Sequence, residues 1–556
     1  MATPDDLITV HGSPAPLQEL ITLRAGPVTA VLDGVDLRYV RLGEVELVRR
    51  IYVGVRDRNW NTIPGVASAV HVAHREDGFE VAFSVHHASH DIAFAWRGSI
   101  TGGPDGRIRF AMDGEGERTM LFNRIGFCVL HPWRESAGRP YRGRTPGGDV
   151  QGVLPDLVAP QGFADGAYVP LFESVSRLEI DLKAGGAVVL EFVGDLFETE
   201  DQRNWTDASL KTYCTPLALG FPRELRDGER RAQAVTVSPR GFATTPPAPG
   251  SRPARAGESR RAGPRVGVGA PTGVAMPVVG LGLPAGAPVP SVSETARLRV
   301  LGPAHLRHEV HLGAPWREEL DAAASAAAAL GARLEVALFT AAGGEDLAAI
   351  GAALAGLDPA RVLVAVADAQ TTTPQETTPG DLVARVRTAL GLGAGVPVAG
   401  GTDMYFCELN RTRPDVERMD GVFWSMNPQV HAFDDLSVME TPEAQGEQVR
   451  TARAFAAALG GGEVMACTSD RPLEVAGLAV APREGGLTVL LANLTPRATI
   501  VAVDGIDGAA RLRRLNIDTG DQAMLDPERF RASAAREAVD EIGLGPYETV
   551  RIDTPW

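Results

Sequence analysis

The chain changes its hydrophobic rhythm three times. Residues 1–242 carry short segments of alternating apolar and polar positions, among them PVTAVL, VDLRYVRL, EVELVRRIYVGV, FEVAFSVHH, DIAFAWRGSI, RIRFAMDG, SRLEIDLK and AVVLEFVG. Turn signals such as DG, GG and PDG separate them. Period-two alternation broken by turns predicts antiparallel strands with one buried face, so this region reads as a large N-terminal β-sandwich. Residues 243–274 are rich in Pro, Gly, Ala and Arg and have no period, which reads as a linker. From 275 to 470 continuous apolar runs (VVGLGLPA, LEVALFT, VLVAVADA, VPVAGGTD, GVFWSMNP, EVMACTSD) alternate with helical stretches around 316–331, 344–356, 379–390 and 442–459. Runs apolar at every position suit parallel strands buried on both faces, and the strand–helix alternation predicts a (β/α)8 TIM-like barrel. Residues 471–556 return to alternation (LEVAGLAVAPR, LTVLLANL, ATIVAVDG, ARLRRLNID, ETVRID) and predict a small C-terminal β-sandwich.

A chain of 556 residues has room for three or four such units. With 54 basic against 70 acidic residues the net charge is −16, which argues against nucleic acid or an anionic membrane surface as a partner. No apolar run reaches the length of a membrane span, and the start MATPDDLITVHGS lacks the basic and apolar regions of a secretory signal. The cysteines Cys128, Cys214, Cys407 and Cys467 are far apart with no CxxC, so a reducing cytoplasm is the expected location.

Only two of the 54 basic residues are lysines, Lys183 and Lys211, and asparagine occurs eight times. In such a composition the rare types mark positions that need a particular side chain. Residues 201–214, DQRNWTDASLKTYC, hold Asn204, Trp205, Lys211, Tyr213 and Cys214. Together with Glu198, Glu200, Asp201, Arg203 and Asp207 they make a dense polar segment around an aromatic platform. This loop is expected to reach over the barrel mouth, with Glu200, Asp201, Arg203, Asn204, Trp205 and Lys211 meeting a polar substrate. Lys211 is expected at the domain junction.

Barrel active sites lie at the C-terminal ends of the strands. After VPVA the segment GGTDMYFCELNR offers Asp403, Tyr405, Glu408, Asn410 and Arg411. After GVFWSM the segment NPQVHAFDD offers Asn427, Gln429 and His431, and Glu440 follows just before a helix. Glu408 stands among apolar and aromatic residues, where burial raises a carboxyl pKa and suits proton transfer. His431 reads as a general base or a hydroxyl partner, and Glu440 as a second carboxylate. In HLRHEVH, residues 305, 307, 309 and 311 share one face of a strand, so Arg307 and Glu309 point together into the barrel mouth and His308 points away. No metal set emerges from this pattern, and no cofactor motif is present: neither a P-loop nor a G-x-S-x-G elbow occurs.

The segments FVGDLFETEDQRNWTDASLKTYCTPL, GGTDMYFCELNR and FWSMNPQVHAFDD resemble the D-apionate lactonase family of acid-sugar catabolism. The resemblance runs from about residue 30 to the end. It implies a β domain, a barrel and a small β domain in that order, and hydrolysis of a sugar-acid lactone in bacterial use of a branched pentose. The residues themselves allow two enzyme chemistries and one binding role. A lactonase would use a carboxylate or His431 to activate water, with Arg and Asn donors on the oxyanion. A glycoside hydrolase would use a carboxylate pair, Glu408 and Glu440. A carbohydrate-binding protein would need the aromatic platform alone. In each case the partner is a small sugar or sugar-acid lactone, and the oligomeric state stays open.

Overall fold

A computed structural model describes residues 18–554, together with Ile8 and Pro14, apart from 90, 165–166, 243–263, 275–277, 285, 313, 341–346, 368–376, 393–394, 427–428, 457–463, 470–474, 481–485, 496 and 507. Among the described residues the N-terminal region forms two nine-stranded antiparallel sheets. Their inward residues share one core, in which Phe110 of one sheet meets Phe127 of the other edge to face at 4.9 Å. In the first sheet the long strands Val45–Asp57 and Met120–Pro132 lie side by side, with Arg50 opposite Leu130, Tyr52 opposite Cys128 and Arg56 opposite Arg124. Ser209–Tyr213 adds to Met120–Pro132, and Phe197–Glu200 adds to Ser209–Tyr213, pairing Glu200 with Lys211. Alternation sends Ile51, Val55, Ile125 and Val129 into the sandwich core. The same alternation leaves Arg50, Tyr52, Arg56, Arg124, Lys211 and Glu200 on the opposite face.

The middle region is a parallel sheet of β1 (Gly280–Gly282), β2 (His305–His311), β3 (Arg333–Thr340), β4 (Arg361–Val366), β5 (Val398–Gly401) and β6 (Val422–Phe423), in sequence order. Helices α1 (Val292–Leu301), α2 (Arg317–Leu330), α3 (Leu347–Leu354) and α4 (Gly380–Leu390) alternate with the strands. The apolar stripes of α2, α3 and α4 bury Leu320, Ile350 and Val386 against one face of the sheet. Ala337, Phe339, Leu363, Ala365 and Ala399 form the other face. Among the described residues the sheet has six strands, fewer than the eight of a closed barrel. Two further helices, α5 (Phe406–Arg411) and α6 (Asp435–Phe455), follow β5 and β6.

Four expectations change. The segment 265–274, read as part of the linker, is a strand, Arg265–Val274, of the C-terminal sheet. Val464–Ser469, read as the last barrel strand, pairs antiparallel with it. Both exchanges are long-range pairings that local composition does not encode. The helix expected to start at 442 begins at Asp435, because Asp434 caps it by accepting from the Ser437 N–H, and Pro442 sits inside it. Residues 292–301, where no helix is expected from the sequence, form α1, which a Ser291–Glu294 capping box starts. Among the described residues the C-terminal region gathers nine strands into one sheet around its own core. No helix among the described residues is long and apolar enough to cross a membrane.

Candidate functional site

The polar face of the first N-terminal sheet meets the start of α6 and the loop before it. Arg38 donates to Asp434 at 2.7 Å and to Asp33 at 2.7 Å, so the α6 cap is tied to the sheet by a fully buried guanidinium. Arg50 reaches the same Asp434 at 3.4 Å and Ser437 Oγ at 3.3 Å. One turn on, Tyr39 donates its hydroxyl to Glu440 Oε1 at 2.7 Å, with Arg49 at 3.5 Å and Arg38 at 3.9 Å from the same carboxylate. Burial raises the Glu440 carboxyl above its ordinary value, against the pull of Arg49 and the Tyr39 bond. Glu440 is thus held by three side chains of the other domain. Tyr39→Phe is expected to cost about 1–3 kcal/mol in urea unfolding, because the buried Oε1 loses its donor. An unchanged midpoint would show that the bond contributes nothing.

His431 stands beside this junction. Its Nδ1 lies 2.6 Å from Asp207 Oδ2, a bond that needs the proton on Nδ1, so the Gln202 Nε2 at 3.0 Å is a packing neighbour of Nδ1 and not a donor to it. The edge of Trp205 packs on the ring at 5.7 Å. The backbone N–H groups of Val430 and His431 both donate to Gln429 Oε1, which fixes the loop. Burial pushes the His431 pKa below its ordinary value, against the pull of Asp207, so the ring is neutral at pH 7. Its side chain keeps 15% exposure. Tyr52, Gln202, Asp207, Gln429, His431 and Glu440 are among the residues enclosing a cavity of about 10 Å³, roughly the room of one water.

Beneath the loop, Lys211 and Glu200 form a buried ion pair on the sheet, and Lys211 also lies 4.9 Å from the Tyr213 ring. Burial pushes the Glu200 carboxyl up, but the Lys211 and Arg124 charges outweigh it and hold the group below its usual range. The Lys211 ammonium is pushed down by burial. Lys211 therefore lies on the sheet face that meets the His431 loop, as expected.

Other predicted residues bind the chain itself. Arg203 is fully buried and donates to the carbonyls of Pro155, Asp156 and Leu157 and to Asp201. Asp201 also accepts from the Ala159 N–H, and caps the short helix Gln202–Trp205. Asn204 donates to Ala159 O and accepts from Asn410 Nδ2, while Arg413 fills Asn410 Oδ1. Arg411 bonds Gln161 and, at 3.2 Å, Cys407 Sγ. Asp201, Arg203, Asn204, Asn410 and Arg411, expected at substrate, instead clamp α5 and α6 to the N-terminal domain. Their polar atoms face protein partners, because the two domains close directly over them.

A second group lies on the strand ends. Arg307 is 3.5 Å from both Glu309 and Asp403, and Glu309 is 3.6 Å from His311, which stacks on Phe339 at 4.3 Å. The expected common face of β2 is present, and burial raises the Asp403 carboxyl against the pull of Arg307. Tyr405 is exposed at the start of α5. In α5, Glu408 is raised by burial, and its Oε2 is buried without a hydrogen-bond partner among the described residues. Glu408 and Glu440 occupy different surroundings, and no contact among the described residues joins them. Asn427 lies outside the described residues.

Asp207 and Gln202 complete the His431 site, and sequence reasoning did not single them out as site residues. Asp207 sat in the dense 201–214 segment, but nothing in the segment told its partner. Arg56 and Arg124 were missed too. The visible signal was an Arg-Tyr-Gly-Arg series at alternate positions of RIYVGVR, opposite an apolar series, which reads as an ordinary solvent face.

Comparison with known proteins follows the same division of the chain. The family model described as D-apionate lactonase, N-terminal domain, matches residues 8–241. The TIM barrel domain model of that family matches 279–460, and its C-terminal immunoglobulin-like domain model matches 472–552. A D-apionate lactonase of Brucella anthropi is 29% identical over 461 residues, which is 78% of this chain and 70% of the relative. Among solved structures, an alpha-galactosidase from Lactobacillus brevis aligns with 97% of this chain and 98% of its own, at 9% identity and TM-score 0.27. The catalytic domain of xylanase C from Talaromyces cellulolyticus aligns with 52% of this chain and 100% of its own, at 10% identity and TM-score 0.33. Scores this low carry no argument about fold or chemistry.

Proposed function

The chain belongs to the D-apionate lactonase family, and from that premise we propose that it hydrolyses the cyclic ester of a sugar acid, with His431 and Asp207 as the catalytic dyad. The observation that carries the reading is the succession of three matching family domains along most of the chain, joined by a relative of that name at 29% identity. The site supplies a chemistry that suits it. His431 is neutral, its Nδ1 proton is committed to Asp207, and Nε2 has no hydrogen-bond partner among the described residues. Nε2 takes a proton from a water molecule as the water oxygen bonds to the lactone carbonyl carbon. The carbonyl π electrons move to oxygen, giving a tetrahedral oxyanion. The ring C–O bond then breaks, the oxyanion re-forms the C=O bond, and the leaving oxygen takes a proton. The products are one carboxylic acid and one hydroxyl. Glu408, whose carboxyl is raised by burial, is proposed as the acid that protonates the leaving oxygen.

Two structural readings belong with this proposal. The six parallel strands are taken as part of a (β/α)8 barrel, supported by the TIM barrel description of the matching model. The domain division is taken as 1–242, a barrel within 275–463, and a terminal β unit built from 265–274 with 464–556.

The test is a hydrolysis screen on lactones of four- to six-carbon sugar acids, the lactone of D-apionate first, with aryl glycosides and a chelator as further arms. Ring opening is followed by acid release. Lactone turnover with no release of aryl alcohol is expected. Turnover of glycosides alone would overturn the reading and return the Glu408–Glu440 pair to first place. Glu408→Gln is expected to lower kcat about a hundredfold; near-normal turnover removes Glu408 from the mechanism.

A further inference from the structure

We propose that Arg124, with Arg56 beside it, is a carboxylate-binding subsite that holds the acid group of the sugar acid formed by ring opening. The proposal rests on the lactonase reading for the identity of the acid, and on geometry for the site.

Arg124 lies in the middle of the strand Met120–Pro132, on the polar face of the first sheet, directly opposite Arg56. It is 4% exposed. Among the described residues its guanidinium has no hydrogen-bond acceptor and no ion pair, and its Nε is buried and unsatisfied. Its nearest groups are aromatic: its guanidinium carbon lies 3.9 Å from the centre of the Tyr213 ring and 5.9 Å from that of Trp60. Arg56 gives one hydrogen bond, 2.9 Å to the Trp60 carbonyl, and has no ion pair among the described residues. Two cations thus share one cross-strand position with no carboxylate between them. Desolvating an unpaired charge costs several kcal/mol, so such an arrangement stands only where it serves something else.

The anions nearby are already engaged. Glu200 is paired with Lys211, and Asp207 with His431. Glu200 acts on Arg124 through its charge, but no carboxylate among the described residues bonds either guanidinium, so the direct acceptor is left for a bound anion. The position is adjacent to the proposed dyad, since Arg56 feels the charge of Asp207 and in turn acts on His431. The backbone packs closely here: a Cβ on Gly54, which pairs with Gly126 next to the two arginines, would lie 3.3 Å from Cys128 Sγ and 3.4 Å from Arg124 Cδ, so a side chain at this position would press on the Arg124 stem.

A planar guanidinium takes a carboxylate through two parallel N–H bonds, and the faces of Trp60 and Tyr213 suit the C–H side of a sugar chain. A neutral lactone offers no charge to such a site, whereas its hydrolysis product does. The first negative charge to need it is the tetrahedral oxyanion, which becomes a carboxylate oxygen when the ring C–O bond breaks.

The experiment titrates the full chain with sodium D-apionate and sodium D-erythronate by calorimetry, with erythritol and sodium acetate as controls. The two aldonates are expected to bind, and both controls much more weakly. Arg124→Met is expected to weaken aldonate binding at least tenfold, and Arg124→Lys to keep part of it. Without ligand, Arg124→Met is expected to melt no lower than Arg124→Lys, because the guanidinium makes no hydrogen bond or ion pair among the described residues. Unchanged aldonate binding by Arg124→Met overturns the proposal. So does a fall of its ligand-free melting temperature below that of Arg124→Lys, which marks a structural cation. Acetate binding as tightly as the aldonates overturns the sugar-acid assignment. Aldonate binding that depends on Arg124 in a protein that hydrolyses no lactone supports the subsite and refutes the reaction. Normal lactone turnover without aldonate binding refutes the subsite alone.

Discussion

His431→Ala lowers kcat/KM for lactone hydrolysis about a thousandfold, within the range set by loss of a positioned general base. The expectation follows from the arrangement of the ring. Asp207 at 2.6 Å holds the Nδ1 proton, which leaves Nε2 as the basic nitrogen. Trp205 and the Gln429-bonded loop fix the ring plane. Asp207→Asn keeps the shape of the pair but removes the charge that stabilises the imidazolium, so it loses a large part of the same factor. The pH profile separates base catalysis from mere packing. The active form is neutral His431, and burial sets its pKa below the ordinary 6.5. Activity therefore holds as pH falls through 6.5 and is lost only at lower pH. Asp207 pulls that pKa up, so Asp207→Asn moves the acid limb further down while reducing the plateau. An acid limb that stays fixed in Asp207→Asn, or full activity in His431→Ala, removes the dyad from the mechanism.

The elements were legible where the signal is local. The alternation in EVELVRRIYVGV made the strand Val45–Asp57, and the unbroken apolar runs LEVALFT and VLVAVADA made β3 and β4, because each buried face is written at period two or at every position. The start of α6 was not legible, since Pro442 resembles a first-turn proline and the true cap, Asp434, gains its meaning from Arg38 nearly 400 residues earlier. The site divided in the same way. Rare residue types led to the 201–214 segment and the ends of the barrel strands to His431, and the structure joins the two through Trp205 and Asp207. What sequence could not reveal is which polar residues face each other across the domain junction. Asn204 and Asn410 read as two independent hydroxyl binders, yet they bond one another at 3.0 Å. Arg56 and Arg124 were not singled out, because a strand pattern specifies two faces but not which of them a neighbouring domain covers.

The largest stability effect is expected at Arg203, and it tests whether the clamp holds the site together. Its guanidinium is fully buried and satisfies three successive carbonyls, of Pro155, Asp156 and Leu157, while bonding both oxygens of Asp201. Its own carbonyl accepts from Gln448 of α6 at 2.8 Å, and Glu447 lies 3.6 Å from the guanidinium. Arg203→Met keeps the bulk of the stem but leaves Asp201 charged and buried, with three carbonyls short of donors. Breaking one side of a buried pair costs about 3–5 kcal/mol, and this pair carries extra backbone bonds. Arg230→Met is the control. Arg230 also reaches both oxygens of Asp113, through one nitrogen, but is 62% exposed, so its loss is expected to cost about 1 kcal/mol or less. Urea unfolding of the full chain compares the two. Adding Asp201→Asn to Arg203→Met removes the stranded charge and is expected to recover part of the loss, so the double variant costs less than the sum of the singles. If Arg203→Met unfolds no earlier than Arg230→Met, the bonds drawn by Arg203 contribute little. The junction must then rest on its other contacts, among them Arg38–Asp434, Tyr39–Glu440 and Asn204–Asn410.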